Sequence, residues 1–113
     1  MQNAHPALGV SAIIFDAAER VLLIQRGQPP AQGFWHVPGG KLEAGERLIA
    51  AACRKVKEET GLDVIIGPIM AVVERWQEGF HYVIVDFPGF LADYTQTQIQ
   101  PVDNATASRL RRL

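Results

Sequence analysis

Two adjacent carboxylates, Glu58 and Glu59, close a stretch of regular apolar period, and Lys55 stands three and four residues before them. Over about residues 46–60, Leu48, Ile49, Ala52, Cys53 and Val56 fall on one stripe at helical spacing. At about 100° per residue, Ala51, Lys55, Glu58 and Glu59 share an arc of about 100° beside that stripe. Paired anions at a helix C-terminus oppose the macrodipole, at a cost of roughly 0.3–1 kcal/mol each. Two readings follow. Lys55 can neutralise both acids as an i,i+3 and i,i+4 partner on a solvated face, which is the common arrangement. Or the pair is a hard-cation site, since Mg²⁺ takes carboxylate and carbonyl oxygens and keeps waters that a phosphate can replace.

The elements that must position such a helix end are strands. Residues 8–15 are apolar and rich in β-branched side chains, residues 16–20 read as a turn, and residues 21–24 as a second strand of a hairpin. Residues 27–33 carry prolines and glycines and form a loop. Residues 34–37 are extended and end at Pro38. Gly39-Gly40 allows backbone angles that other residues resist, as in a turn. Gly61 is a natural left-handed stop after the helix. Residues 64–73 form a strand broken at Gly67-Pro68, and residues 80–87 form another. Strands flanking one helix give an α/β (α+β) class with a mixed sheet. Residues 108–113 offer at most the start of a helix, so a C-terminal helix is short or missing. The sequence shows no internal repeat, low-complexity tract or linker.

Length and composition bound the rest. The 113 residues suit a single domain over 1–113, with enough chain to bury a core. Eleven Lys+Arg stand against twelve Asp+Glu, a balance that argues against nucleic acid or an anionic membrane as partner. One cysteine, Cys53, excludes an intrachain disulfide and suits a reducing compartment. No apolar run reaches the ~18 residues of a membrane span. The first residues lack the charged and apolar regions of a signal peptide. The expectation is a cytoplasmic domain whose partner is a small molecule.

Gly40, Glu46, Arg54, Val56, Glu58, Glu59, Gly61 and Leu62 stand at the spacing of the Nudix box, G-x5-E-x7-R-E-U-x-E-E-x-G-U with U aliphatic. The sequence therefore resembles the Nudix hydrolase family. The approach to the box, Trp35-His36-Val37-Pro38-Gly39-Gly40-Lys41-Leu42-Glu43, is similar as well, and the likeness runs over residues 8–94. The resemblance implies the family's α/β/α sandwich with a mixed sheet, and the box as loop–helix–loop. It implies hydrolysis of a nucleoside diphosphate linked to another moiety, by water attack on phosphorus with Mg²⁺ or Mn²⁺ assisting. Carried over by position, Glu59 is a metal ligand, Glu58 a second ligand or the carboxylate that orients water, and the Gly40 carbonyl another ligand. Glu46 and Arg54 pair to hold the loop against the helix. One position departs: the family glutamate after the box arginine, normally a principal metal ligand, is Lys55 here. The change removes a ligand and adds a cation, which can swing away, contact a substrate phosphate in place of one metal, or neutralise the acids and close the site.

Other residues carry two readings each. Arg26, at a strand end, reaches a substrate phosphate or is simply solvated, and Lys41 is similar. Of Phe34 and Trp35, one belongs to the core and the other can stack on a base. Glu74 and Glu78 stand where some family members place a further acid. His81 is a satisfied edge histidine, Tyr82 shares its strand, and Cys53 is core. Asn104-Ala105-Thr106 fits a glycosylation sequon, and Pro38-Gly39-Gly40-Lys41 is not a P-loop. The C-terminal stretch is too short for the family's second helix, so either the chain is truncated or a second copy covers the apolar sheet face as a homodimer. The alternative to a hydrolase is a non-catalytic nucleotide-binding or regulatory module on the same fold.

Overall fold

The computed structural model describes residues 5–27 and 32–92, and the backbone of residues 105–112. Asn104 of the sequon and the middle of the 27–33 loop lie outside them. In chain order the elements are β1 (Ala7–Phe15), β2 (Arg20–Arg26), β3 (Trp35–His36), β4 (Gly39–Lys41), α1 (Leu48–Thr60), β5 (Val64–Ile66), β6 (Ala71–Gln77), β7 (Phe80–Leu91) and β8 (Ala105–Arg112). They form one mixed sheet. At its centre β1 and β7 run parallel, from Ala7 opposite Tyr82 to Phe15 opposite Phe90. The other pairs are antiparallel.

The free edges of the central pair are each shared. β4 takes β1 at Gly9, Val10 and Ser11, and β2 takes it at Phe15. β6 follows β7 as far as Asp86, and β5 takes over from Gly89. Pro88 lies in that changeover, so its missing N–H interrupts neither ladder. This is why β7 continues to Leu91 rather than ending near Phe87, as the proline suggests. Alternation on β1 sends Val10, Ala12 and Ile14 under α1, where they join Val56, Leu62 and Leu91, and Ala51, Ala52, Val85 and Phe87. The opposite alternates are left for the other face of the sheet.

The helix begins at Leu48, two residues later than its period suggests, because Gly45 holds a left-handed φ of 80° before it. It stops where expected: Gly61 has φ 78° and its N–H returns to the Lys57 carbonyl. Its buried face is rotated from the expected stripe. Ala51, Ala52, Lys55, Val56, Glu59 and Thr60 are buried, while Ile49 is half exposed. The two alanines let the helix sit close on Val10, Val85 and Phe87, and this draws the lysine and glutamate of the next turns inward.

Two further expectations are corrected. Gly39-Gly40 is not a turn but part of a strand, Gly40 opposite Val10. Residues 108–112 do not begin a helix: β8 pairs with β2 from Arg112 opposite Arg20 to Ala105 opposite Arg26, with a bulge at Gln25/Arg26. A helix of that length carries its full nucleation cost for few bonds, whereas the edge of β2 supplies a ladder. Among the described residues α1 is the one helix, so the second α layer of a sandwich is not seen there.

Candidate active site

The face of the sheet turned away from the α1 core opens into a cleft of about 1140 Å³. Gly9, Ser11 and Ile13 of β1 and Tyr82, Ile84 and Asp86 of β7 form its floor, as the cleft-side alternates of those strands. One end is closed by β4 and the last turns of α1, which bring Gly40, Lys41, Arg54, Lys55, Glu58 and Glu59 together. Arg26 and Trp35 enter from β2 and β3. Of Gly40, Glu46, Arg54, Glu58 and Glu59, Glu46 alone does not line the cleft.

Arg54 organises this end. Its Nε donates to Glu46 Oε2 at 2.6 Å and its Nη2 to Glu46 Oε1 at 2.9 Å, a bidentate pair. Its Nη1 donates to Glu58 Oε1 at 2.9 Å, with Glu43 at 3.6 Å. The Arg54 hydrogen bonds hold the Glu46 carboxyl below the usual carboxylate range. A second hydrogen bond, from the Glu43 N–H to Glu46 Oε1, ties the 43–46 turn to the same arginine. The fork therefore fixes the loop to the helix and orients one face of Glu58.

Glu59 is 2% exposed, and its Oε1 accepts the Gly39 N–H at 3.0 Å. Burial pushes its carboxyl up to about 7, against the opposing pull of the Lys55 charge, the Gly39 N–H and the Arg26 charge. Lys55 is itself 8% exposed, with Nζ 3.7 Å from Glu58 Oε2. Its stem crosses Gly40: a Cβ there would stand 2.9 Å from Nζ and 3.2 Å from Cδ. At Gly39 a Cβ would stand 2.5 Å from the Val10 carbonyl oxygen. Both glycines are required for close approach in a strand, not for unusual backbone angles.

The donors in this corner are hard oxygens: the Glu58 and Glu59 carboxylates and the second lone pair of the Gly40 carbonyl. Among the described residues no group of three or more His, Cys, Asp or Glu is placed to hold a metal ion. The set fits an ion whose shell is completed by waters and substrate phosphates, the usual habit of Mg²⁺, and not an all-protein cage.

The far wall was not found from the sequence. Arg75 and Gln77 of β6, Phe80 of β7, and His36 of β3 line it with Tyr82. The side-chain hydroxyl of Ser11 is hydrogen-bonded to Asp86 on the floor. Burial, then the charges of Arg26 and Arg75, push the His36 imidazole down to about 4, so it is neutral. Its buried Nε2 has no hydrogen-bond partner among the described residues. The signal available was the period-2 run Phe80, Tyr82, Ile84, Asp86, whose polar end is out of place in a core strand.

Phe34 and Trp35 both line the cleft, Phe34 being 68% exposed and Trp35 half-buried, so neither is a core residue. Glu74 lies on the other face of β6, its Oε2 2.7 Å from His81 Nε2, and His81 stacks on Trp76. Glu78 is in the β6–β7 turn with φ 51°. Neither acid reaches the cleft. Cys53 is half-buried, its thiol pushed up by burial.

A family model described as NUDIX domain matches residues 5–109. The 8-oxo-dGDP phosphatase NUDT18 of Homo sapiens is 34% identical over 79 residues, 70% of this chain and 24% of that protein. The ADP-ribose pyrophosphatase of Methanocaldococcus jannaschii is 45% identical over 58 residues, 51% of this chain and 34% of that protein. The chain thus spans about a quarter to a third of the length of these curated relatives. Among solved structures, the MutT NUDIX hydrolase from Burkholderia pseudomallei superposes with a TM-score of 0.82 at 27% identity, covering 95% of this chain and 83% of that one.

Proposed function

The chain belongs to the NUDIX family, and on that premise we propose that it hydrolyses a phosphoanhydride bond in nucleoside diphosphate-linked compounds. The observation that carries this reading is the convergence of Glu58, Glu59 and Gly40 with the cations Arg26, Arg54 and Lys55 at one end of a nucleotide-sized cleft. In the proposed roles, Arg54 holds Glu46 and Glu58 in place, and Glu58 orients the attacking water. Arg26 and Lys41 meet the phosphates, and Trp35 with Phe34 offers a stacking surface for a base. Family members generally use divalent ions. Mg²⁺ or Mn²⁺ is proposed here, held by Glu58, Glu59 and the Gly40 carbonyl, where it would supply Lewis-acid polarisation of the attacked phosphoryl group.

The similar proteins are named for 8-oxo-dGDP and ADP-ribose, so these are the first substrates to try, with nucleoside triphosphates and dinucleotides beside them. Release of nucleoside monophosphate that requires Mg²⁺ or Mn²⁺ and is lost in Glu58→Gln is the expected result. No turnover of any compound with either ion refutes the reading. The Lys55 ammonium among the acids favours a second reading, a non-catalytic nucleotide-binding module, which predicts ligand-dependent thermal shifts without turnover. A cytoplasmic location accords with the single cysteine. A homodimer accords with exposed Ile65, Ile69, Met70, Val72 and Trp76, and light scattering that returns a monomer mass removes it.

A further inference from the structure

Lys55 is placed unlike a surface lysine. Its stem is buried, and Gly40 leaves the space it crosses. Its head lies at the cleft end among the proposed ion ligands, 3.7 Å from Glu58 Oε2. That separation makes an ion pair but not a hydrogen bond, so the contact does not consume the ammonium's three donors. The position facing the acids thus carries a cation that is part of the chain.

We propose that the Lys55 ammonium is a tethered cation that grips the substrate's diphosphate in place of one divalent ion, so that the chain binds a nucleoside diphosphate without metal. An ammonium suits the task as a compact point charge with rotatable donors, able to follow whichever phosphate oxygen is presented. Gly40 is then the matching half of the device, since any side chain there would evict the stem. With one charge supplied covalently, the corner needs a single ion brought in with the substrate, consistent with its two carboxylates. The inference rests on the cleft being the substrate site, as proposed above.

The test is calorimetric titration of ADP and of inorganic pyrophosphate into the full chain in EDTA, for wild type, Lys55→Met and Lys55→Glu. Mn²⁺ is titrated separately without nucleotide. Wild type is expected to bind ADP in EDTA, and Lys55→Met to bind it roughly 10- to 100-fold more weakly, the range of one charged hydrogen bond. Lys55→Glu, which restores the third acid, is expected to bind Mn²⁺ about tenfold or more tightly than wild type and to bind ADP only when Mn²⁺ is present. Equal ADP affinity for wild type and Lys55→Met in EDTA overturns the inference. Should Lys55→Met not fold, wild type decides alone: ADP affinity in EDTA within about tenfold of that in Mn²⁺ supports it, and any weaker binding overturns it. Turnover is read apart from binding. Metal-dependent turnover without metal-free binding sinks this inference and leaves the hydrolase, and metal-free binding without turnover does the reverse.

Discussion

Gly39 and Gly40 are neighbours in one strand, yet alanine is expected to be costly at the first and nearly neutral at the second. Neither has a positive φ, so the substitution brings no dihedral strain, and it removes unfolded-state freedom worth about 0.4–1 kcal/mol. The difference lies in what the new methyl meets. At Gly39 it meets the Val10 carbonyl oxygen at 2.5 Å and the Ser11 Cβ and Cα at 2.9 and 3.0 Å. These belong to β1, which is fixed along its length to β7, so a strand must shift. Overpacking of this kind costs typically 1–3 kcal/mol, and a backbone obstacle places it at about 3. At Gly40 the methyl meets the end of the Lys55 side chain as closely, nearest at Cε, with Nζ at 2.9 Å and Cδ at 3.2 Å, but this obstacle can swing out. What is lost there is a part-exposed ion pair and some stem packing, about 1 kcal/mol, nearly offset by the unfolded-state gain. Urea unfolding followed by circular dichroism should therefore place Gly39→Ala about 2 kcal/mol below Gly40→Ala at equal m. In a Lys55→Ala background Gly40→Ala should become stabilising by the unfolded-state gain of about 0.4–1 kcal/mol, a coupling of about 1 kcal/mol. Equal damage from the two substitutions, or an unchanged cost of Gly40→Ala without the lysine, refutes the reasoning.

Other outcomes follow from the same geometry. Arg54→Lys should not rescue what Arg54→Met loses, because an ammonium cannot make the bidentate pair with Glu46 and the bond to Glu58 together; both should fall by about 1–2 kcal/mol in urea unfolding, and a wild-type midpoint for Arg54→Lys would contradict this. His36 is held at about 4 from 6.5, so between those values the unfolded chain binds more protons. Stability present above pH 6.5 should drain away by up to about 3 kcal/mol as pH falls towards 4, and His36→Gln should flatten that limb of a pH–stability profile. Thr60 is fully buried, donating to the Val56 carbonyl at 2.7 Å and accepting the Leu62 N–H at 3.2 Å. Thr60→Val should cost about 1–3 kcal/mol by stranding that N–H, measurable as a lowered melting temperature.

Much of the architecture was legible because it rests on local rules. Gly61 ends the helix where a left-handed residue is needed, and the 8–15 and 80–87 runs are strands by composition alone. The cluster of Glu46, Arg54, Glu58 and Glu59 was legible from spacing. What was hidden depends on partners distant in sequence. Gly39-Gly40-Lys41 has no strand propensity and is extended because β1 offers it an edge. Lys55 is a surface residue by type and is buried because Gly40, fifteen positions earlier, leaves room for it. Residues 105–112 follow the open edge of β2 in the same way. Arg75 and Gln77 could not be joined to the box from sequence, since only the pairing of β6 with β7 turns them to the cleft.

The parallel pairing of β1 with β7 carries a consequence for how the chain acquires its shape. The two central strands are separated by most of the described sequence, with Ser11 bonded to Asp86 across 75 positions. A chain made from its N-terminus can cover Val10, Ala12 and Ile14 only in part, with α1 and Leu22, until Val85 and Phe87 are made for Val10 and Leu91 for Ala12 and Ile14. The β6–β7 hairpin and α1 can organise early, but the closing of the middle waits on a large loop and sets the pace. Substitutions in β1 should therefore register first as nascent chains lost to aggregation, before any effect on the finished protein is felt.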